Sequence, residues 1–297
     1  GYFLHEYRQA GTNMLLTILL VYIAAVAADE IGTEYIKIDN TCHNVTNLLK
    51  LRAPFRSKVV IPKMGILRSK NVLFYSFEPN ITDDEYYKVG FVYLDKPETF
   101  GVLSSIQKSI FNFGTFDIDQ ENQLIYLGGS DGIYVLDTKE NRLASYSSRG
   151  DTIQSMVFSN SVYFTVMGED MIMRKNGDNF IPLLEYRPVK NFVITKYGYL
   201  IFLSNKGLFV TKDGEIVQLS KNAYFRGMAM DLEGAVYTWW IDDLYRVAIG
   251  DKLSDSRLVK IAEIPKIGAV TFDNGNNFLF TVDNTLFKLT NAETSDC

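Results

Sequence analysis

Residues 114–146 of the chain read GTFDIDQENQLIYLGGSDGIYVLDTKENRLASY. Short runs rich in Ile, Leu, Val, Phe and Tyr alternate there with Gly, Asn, Asp and Ser, and no 3.6-residue periodicity accompanies them. Such runs are typical of strands, and Gly, Asn and Asp tolerate the positive φ angles that tight hairpins require. The stretch predicts a first strand at Gly114–Ile118, a hairpin around GGSDG, and a last strand at Arg142–Tyr146.

The same arrangement recurs along the chain, marked by large hydrophobic residues in pairs eight positions apart. The pairs are Tyr126 and Tyr134, Phe164 and Ile172, Ile201 and Phe209, Tyr237 and Tyr245, and Leu279 and Phe287. Successive pairs begin 38, 37, 36 and 42 residues apart. A period near 40 with several short strands per copy is typical of β-propeller blades. An earlier copy that begins near Met64, and that the acidic insert Glu78–Glu85 interrupts, brings the predicted number of blades to six.

The last copy ends after Thr285–Leu289 and has no fourth strand of its own. The segment Glu34–Ile38 (EYIKI) precedes the first copy and has no partner in the pattern, so we predict that it supplies the missing strand. A strand added in this way closes the ring and removes a free sheet edge. The sequence therefore predicts an all-β fold, a six-bladed β-propeller closed by an N-terminal strand, with residues 29–297 forming a single domain.

The beginning of the chain is typical of a signal peptide. An apolar run of fourteen residues, Leu15–Ala28, ends in small residues with a cleavage motif at Ala25–Ala27, and acidic residues follow it. The run is shorter than the roughly 20 residues of a membrane-spanning helix, which makes a retained anchor the less favoured alternative. We therefore assign residues 1–28 to a signal peptide and upstream residues, with Met14 as a start site, and we expect a secreted, extracellular protein.

Secretion bears on the two cysteines and on two glycosylation sequons. An oxidising compartment would allow Cys42 and Cys297 to form a disulfide that joins the two ends of the mature chain. The alternative is that Cys297 remains a free thiol. Asn44-Val-Thr and Asn80-Ile-Thr match the N-glycosylation sequon, so both asparagines are predicted sites.

Charge and histidine content exclude several classes of function. The formal net charge is −5, and no Lys/Arg-rich run occurs, which argues against nucleic acid and against an anionic membrane as partners. After residue 28 the one histidine is His43, which we interpret as a solvated loop residue. A single histidine argues against a Ser-His-Asp or Cys-His catalytic site and excludes a multi-histidine metal site.

Carboxylates near the ends of the predicted first strands leave one enzymatic alternative open. Some six-bladed propellers are calcium-dependent lactonases or esterases, and oxygen ligands suit calcium. The candidate ligands here are Asp117, Asp119, Asp231 and Asp273. We favour the interpretation that they cap strand turns, because the equivalent positions of other copies hold Asn160 and Lys196.

Four segments resemble the ommochrome-binding proteins of moths and butterflies. They are Phe116–Asp119 (FDID), Ile125–Tyr134 (IYLGGSDGIY), Phe225–Asp231 (FRGMAMD) and Gly268–Asp273 (GAVTFD). The resemblance extends from about Val72 to Leu289. It implies a protein secreted into insect haemolymph that binds tryptophan-derived phenoxazinone pigments.

The loops that join one predicted blade to the next are rich in aromatic and cationic residues. Together with the hairpins between second and third strands, these loops gather at one mouth of a propeller channel. Aromatic faces stack on a flat conjugated ligand, and arginine pairs with carboxylates in forked geometry. The predicted ligand-binding residues are Phe111, Phe113, Arg149, Arg187, Tyr224, Phe225, Arg226 and Trp240.

The sequence thus predicts a non-enzymatic carrier that needs no cofactor and binds a small planar pigment, an ommochrome, at the channel mouth. Two alternatives remain at this stage. One is the calcium-dependent hydrolase, which a cluster of converging carboxylate or amide oxygens would support. The other is a protein-binding propeller, which a flat apolar face without a ligand-sized pocket would support.

Overall fold

The structure, a computed structural model, describes residues 34–80, 88–103, 113–147, 151–177 and 179–292. The predicted signal peptide at residues 1–28 lies outside these ranges, as do Phe111, Arg149 and Cys297. None of the helices in the described part of the chain has the length and apolar character of a transmembrane span.

The described strands form six antiparallel sheets, which confirms the predicted six-bladed β-propeller. The chain begins with β1 (Tyr35–Ile38) and β2 (Thr41–Lys50). Five four-stranded blades follow. Blade 1 contains β3 (Lys63–Leu67), β4 (Val72–Phe77), β5 (Lys88–Tyr93) and β6 (Lys96–Val102); blade 2 contains β7 (Phe113–Asp119), β8 (Leu124–Gly129), β9 (Gly132–Asp137) and β10 (Arg142–Ser145). Blade 3 contains β11 (Ile153–Phe158), β12 (Val162–Val166), β13 (Ile172–Asn176) and β14 (Asn179–Leu184).

Blade 4 contains β15 (Asn191–Ile194), β16 (Leu200–Ser204), β17 (Gly207–Lys212) and β18 (Glu215–Ser220). Blade 5 contains β19 (Gly227–Met230), β20 (Val236–Trp240), β21 (Asp243–Ala248) and β22 (Arg257–Glu263), and blade 6 contains β23 (Ile267–Phe272), β24 (Phe278–Val282) and β25 (Thr285–Asn291) together with β2 and β1. The inner strands β3, β7, β11, β15, β19 and β23 contact one another in sequence, and β23 contacts β3, which closes the ring.

Burial explains why the second strand of each repeat is the most hydrophobic. In blade 4 all five residues of β16 (LIFLS) are buried, because neighbouring blades cover both faces of the sheet. The outer strand β18 (EIVQLS) has no fully buried residue. The hairpin between β16 and β17 requires Gly207 for two reasons. Its φ of +124° is one that other residues rarely adopt, and a Cβ at this position would lie 2.0 Å from the carbonyl oxygen of Ser220.

Hydrophobic cores lie between the blades. The core between blades 5 and 6 includes Trp239, Phe272, Phe278, Phe280 and Phe287. Phe272 and Phe278 meet edge to face with ring centroids 5.3 Å apart, and Phe280 stacks on Phe287 at 5.4 Å. Aromatic pairs of this kind contribute beyond the area that they bury. The repeated aromatic pairs of the sequence therefore serve largely to fill these spaces.

The N-terminal segment closes blade 6, as predicted, but the closing strand is a different one. We predicted Glu34–Ile38, whereas the structure places β2 beside β25 and makes β1 a fifth, outermost strand. The pairing of β2 with β25 runs from His43 opposite Asn291 to Lys50 opposite Thr285. The physical reason is that β2 follows β1 through a two-residue turn, Asp39 and Asn40 with positive φ, so both strands of one hairpin add to the sheet.

The same hairpin changes the interpretation of His43. We predicted a solvated loop residue, but His43 lies within β2 and is partly buried between β1 and β25. Cys42 beside it is buried, and its carbonyl accepts a hydrogen bond of 2.9 Å from the amide of Ala292. Cys297 lies outside the described residues, so the disulfide stays a prediction. Asn44 lies in β2 and Asn80 is exposed, and glycosylation of both stays a prediction.

We expect mild acid to weaken the closure of blade 6. Burial lowers the pKa of His43 below its ordinary value of 6.5, so the folded chain binds a proton less readily than the unfolded chain. The free energy of unfolding is therefore expected to fall as the pH is lowered through 6.5 towards the folded pKa, and to be constant above it. Urea unfolding measured between pH 8 and about pH 5 tests this. His43→Gln should reduce the dependence, and an identical profile in the variant would contradict it.

Candidate functional site

The six inner strands surround a central channel with a cavity volume of about 1130 Å³. Every inner strand is the first strand of its blade, so the strands begin at one end of the channel and end at the other. We call the end lined by Lys63, Gln154, Lys190 and Arg226 the upper mouth, and the end lined by Arg68, Glu121, Asn160 and Lys196 the lower mouth. A cavity of this size is large enough for a drug-sized ligand.

Lys63 extends across the channel from the first position of β3. Its Nζ donates a hydrogen bond of 2.8 Å to the carbonyl oxygen of Met156 in blade 3 and lies 5.8 Å from the centre of the Phe116 ring. Burial lowers the pKa of Lys63, and the nearby Asp117 carboxylate partly opposes this effect. Asp117 does not cap a turn as predicted: it lies within β7 and accepts a hydrogen bond of 2.7 Å from the amide of Phe158 in the next blade. The channel thus contains a partly desolvated cation close to one carboxylate.

Two more cations stand at the upper mouth, each directly before an inner strand. The backbone of Lys190 is fixed by a hydrogen bond of 2.8 Å to Leu203, and that of Arg226 by one of 2.8 Å to Trp239. Within the described residues neither side chain forms an ion pair. Their charges are therefore available to an anion that enters the channel at this end.

The charges along the whole channel favour an anionic ligand. Among the described residues, six cations and four carboxylates line the cavity. The cations are Lys63, Arg68, Arg174, Lys190, Lys196 and Arg226, and the carboxylates are Asp117, Asp119, Glu121 and Asp231. The low-dielectric walls of a cleft concentrate the electric field of these charges along it.

Two of these carboxylates are already occupied by the turns that they cap. Asp119 accepts hydrogen bonds from the amides of Glu121 and Asn122 at 3.1 and 3.0 Å. Asp231 accepts three amide hydrogen bonds at 2.8 to 3.0 Å and one from Tyr237 Oη at 3.3 Å. Burial and then Asp231 raise the pKa of Tyr237 to about 12, so its hydroxyl stays protonated and donates.

Asp273, the remaining candidate for calcium, is also part of a turn. Its Oδ1 accepts amide hydrogen bonds of 2.9 Å from Gly275 and Asn277, and its Oδ2 lies 2.7 Å from Lys288 Nζ. Burial works to raise the pKa of Asp273, but the hydrogen bonds from Lys288 and Asn277 outweigh it and lower the pKa. In the described ranges, no group of three or more His, Cys, Asp or Glu residues is spaced to hold a metal ion.

Of the predicted ligand-binding residues that the structure describes, Arg226 lines the channel. Phe113 is buried in the core between blades 1 and 2, and Phe225 is buried against Tyr245 between blades 4 and 5. Tyr224 and Arg187 are exposed outside the cavity lining, and Trp240 packs partly buried against the core of blades 4 and 5. Packing between blades accounts for the two buried phenylalanines. Phe111 and Arg149 lie outside the described residues.

The predicted list of ligand-binding residues omitted Lys63, Lys190 and Trp239, which all line the channel. A signal for the two lysines was present, because Lys63, Lys190 and Arg226 occupy the first position of an inner strand or the position before it. The list named the adjacent Trp240 instead of Trp239, which lies on a second strand opposite Gly227 of the inner strand.

The fold and the site define a six-bladed β-propeller with a basic, ligand-sized central channel. No protein-family model matches the chain. The chain is 22% identical over 228 residues to the ommochrome-binding protein of Manduca sexta, and the match covers 74% of this chain and 80% of that protein. This comparison confirms the resemblance to the ommochrome-binding proteins.

Solved structures of diverse function share the fold. The chain matches a gluconolactonase of Xanthomonas campestris with a TM-score of 0.62 at 11% identity, covering 88% of this chain and 96% of that one. A virginiamycin B lyase from Staphylococcus aureus matches with a TM-score of 0.58 at 11% identity, covering 84% and 100%. A chain of a nidogen–laminin complex matches with a TM-score of 0.56 at 12% identity, covering 80% and 96%. At these identities the likeness concerns the fold alone.

Proposed function

We propose that this protein is a secreted, non-enzymatic carrier that binds a small, planar, acidic pigment of the ommochrome class in the upper half of the channel. The observation that carries the proposal is a cavity of about 1130 Å³ with Lys63, Lys190 and Arg226 at its upper mouth. The similarity to the ommochrome-binding protein of Manduca sexta supports the choice of ligand. In such a complex, burial of the ring system contributes affinity and the cations orient the carboxylates.

A titration of the purified protein with xanthommatin, followed by tryptophan fluorescence, tests the proposal. We expect saturable quenching with one binding site per chain, and a visible absorption band in protein purified from its natural source. The absence of both results would refute pigment binding. The same preparation should then be assayed with calcium against lactones and esters, because the gluconolactonase of Xanthomonas campestris shares the fold.

We also expect affinity for the pigment to decrease in alkaline solution before ordinary lysines lose their protons. Burial lowers the pKa of Lys63 below 10.5, so this cation is neutralised at a lower pH than an exposed lysine. A bound carboxylate favours the charged form, so binding should be tight below the lowered pKa and weaker above it. Dissociation constants measured from pH 7 upward test this expectation.

The control for that experiment is Lys63→Gln, which retains a hydrogen-bond donor for Met156 but cannot titrate. This variant should bind more weakly at neutral pH and show a flatter profile in the alkaline range. Absorption spectra of the free pigment at each pH separate its own ionisation from that of the protein. A variant with the wild-type profile would assign the pH dependence to another group.

A further inference from the structure

The indole of Trp239 combines deep burial with an unused hydrogen-bond donor. Trp239 is 2% exposed, and its Nε1 has no hydrogen-bond partner among the described residues. Two tyrosines show the usual arrangement: Oη of buried Tyr75 donates to the carbonyl of Arg52 at 2.8 Å, and Oη of partly buried Tyr237 donates to Asp231. Buried N–H groups are nearly always paired in folded proteins, so an unpaired one requires an explanation.

The position of Trp239 distinguishes it from the other buried groups of this kind. Among the described residues, buried side-chain polar atoms without a hydrogen-bond partner also occur on Arg56, Ser76 and Asn141. Trp239 lines the channel, and those three residues do not. The unused donor therefore belongs to a residue of the channel wall and not to a distant part of the fold.

Gly227 allows the indole of Trp239 to lie over the inner strand. Trp239 lies directly opposite Gly227 in the pairing of β20 with β19. A Cβ at position 227 would lie 2.4 Å from Cζ2 and 3.1 Å from Cε2 of the indole, so the ring crosses the backbone of the inner strand where any other residue would carry a side chain. Cε2 is the ring carbon bonded to Nε1. The N–H group is thus on the part of the ring that lies over the inner strand.

Neighbouring hydrogen bonds fix this arrangement beside a cation. The amide of Arg226 donates to the carbonyl of Trp239 at 2.8 Å, and Thr238 Oγ1 donates to the carbonyl of Gly227 at 2.8 Å. These bonds hold β19 and β20 together at the upper mouth. Arg226 also lines the channel and directly precedes Gly227. Its guanidinium is therefore attached to the same wall of the channel as Trp239.

We propose that Trp239 Nε1–H is a specificity-determining donor for the ligand of the channel, and that it takes an oxygen acceptor such as a ring carbonyl or carboxylate while Arg226 pairs with an anionic group. The inference rests on the proposed function, because it assumes that the channel is the ligand site. Nε1 is shielded from solvent, so a bound acceptor requires a shift of the groups that cover it. The ligand class is thus a flat, anionic ring system with an oxygen acceptor at its edge.

Nuclear magnetic resonance of the wild-type protein tests the inference directly, because the chain contains two tryptophans. Protein labelled with ¹⁵N at the indole nitrogens is titrated with xanthommatin, and Trp239→Phe and Trp240→Phe assign the two resonances. We expect the indole proton of Trp239 to move downfield and to exchange with deuterium more slowly in the complex. An unchanged Trp239 resonance in a saturated complex would overturn the inference and leave the proposed function intact.

Affinities of the two variants provide the second measurement. We expect Trp239→Phe to bind xanthommatin about five- to tenfold more weakly, as for the loss of one hydrogen bond. Trp240→Phe is the matched control, because Trp240 packs against the core of blades 4 and 5 and lies outside the channel lining. Equal losses in both variants would assign the effect to packing and contradict a specific role of Trp239. Failure of the wild-type protein to bind the pigment would refute both the proposed function and this inference.

Discussion

A chain that begins at Leu51, and therefore lacks β1 and β2, is expected to lose its cooperative unfolding transition. The deletion removes the pairing of β2 with β25 and leaves β25 as an open edge of blade 6. It also uncovers the core of blades 5 and 6, to which Ile36 belongs, and removes the hydrogen bond of 3.0 Å from the amide of Asp39 to the carbonyl of Ile261. Because a domain has only about 5–15 kcal/mol of net stability, this loss is expected to exceed what the fold can tolerate.

Urea unfolding followed by circular dichroism measures this effect. Both chains should be compared under reducing conditions, so that the predicted disulfide does not contribute to the difference. A synthetic peptide covering residues 34–50 should restore a cooperative transition when added to the truncated chain, and a peptide of the same composition in scrambled order should not. A truncated chain that unfolds at the wild-type urea concentration would show that the ring does not depend on its N-terminal hairpin.

Arg226→Gln is expected to weaken pigment binding about tenfold to a hundredfold. Arg226 is the cation that sequence and structure both place at the upper mouth, and it stands beside Gly227 and Trp239. Hydrogen bonds to charged groups contribute about 1.5–3 kcal/mol, which corresponds to this range of affinity. Fluorescence titration with xanthommatin measures the change, and thermal unfolding checks that the fold is retained.

Arg257→Gln is the matched control for this experiment. Arg257 is an exposed arginine on β22, the outer strand of the same blade, and it lies outside the channel lining. Its replacement should leave the affinity unchanged. Repeating the titrations at two salt concentrations adds an electrostatic test, since the wild-type affinity should fall with salt more steeply than that of Arg226→Gln. Equal affinities of Arg226→Gln and the wild-type protein would contradict the proposal that the pigment binds at the upper mouth.

The repeat architecture is determined by short-range sequence pattern. The eight-residue spacing of pairs such as Tyr126 and Tyr134 gives two adjacent strands and their hairpin, and a Gly, Asn or Asp in the turn sets the local conformation. The same reasoning identified Asp119, Asp231 and Asp273 as turn caps, because a carboxylate reaches amides only two to four residues away. Local chemistry of this kind can be read directly from the chain.

Which hydrophobic residues face the channel could not be read in this way. Phe113 and Phe225 lie at blade connections, as Arg226 does, yet both rings are buried between blades. A period of two assigns side chains to opposite faces of a strand, but it does not tell which face meets the neighbouring blade and which reaches the channel. The choice depends on how six sheets pack around an axis.

The sequence by itself determined the strands, the turns, the number of blades and the need for an N-terminal contribution to the last blade. The tertiary structure alone decided that β2 and not Glu34–Ile38 is the closing strand, and that Lys63, Lys190 and Trp239 line the channel. The reason is the distance along the chain over which each interaction acts. Turn and strand preferences act within a few residues, whereas the channel is formed by residues from all six blades. The indole of Trp239 lies over the inner strand because Gly227, twelve positions earlier, has no side chain there.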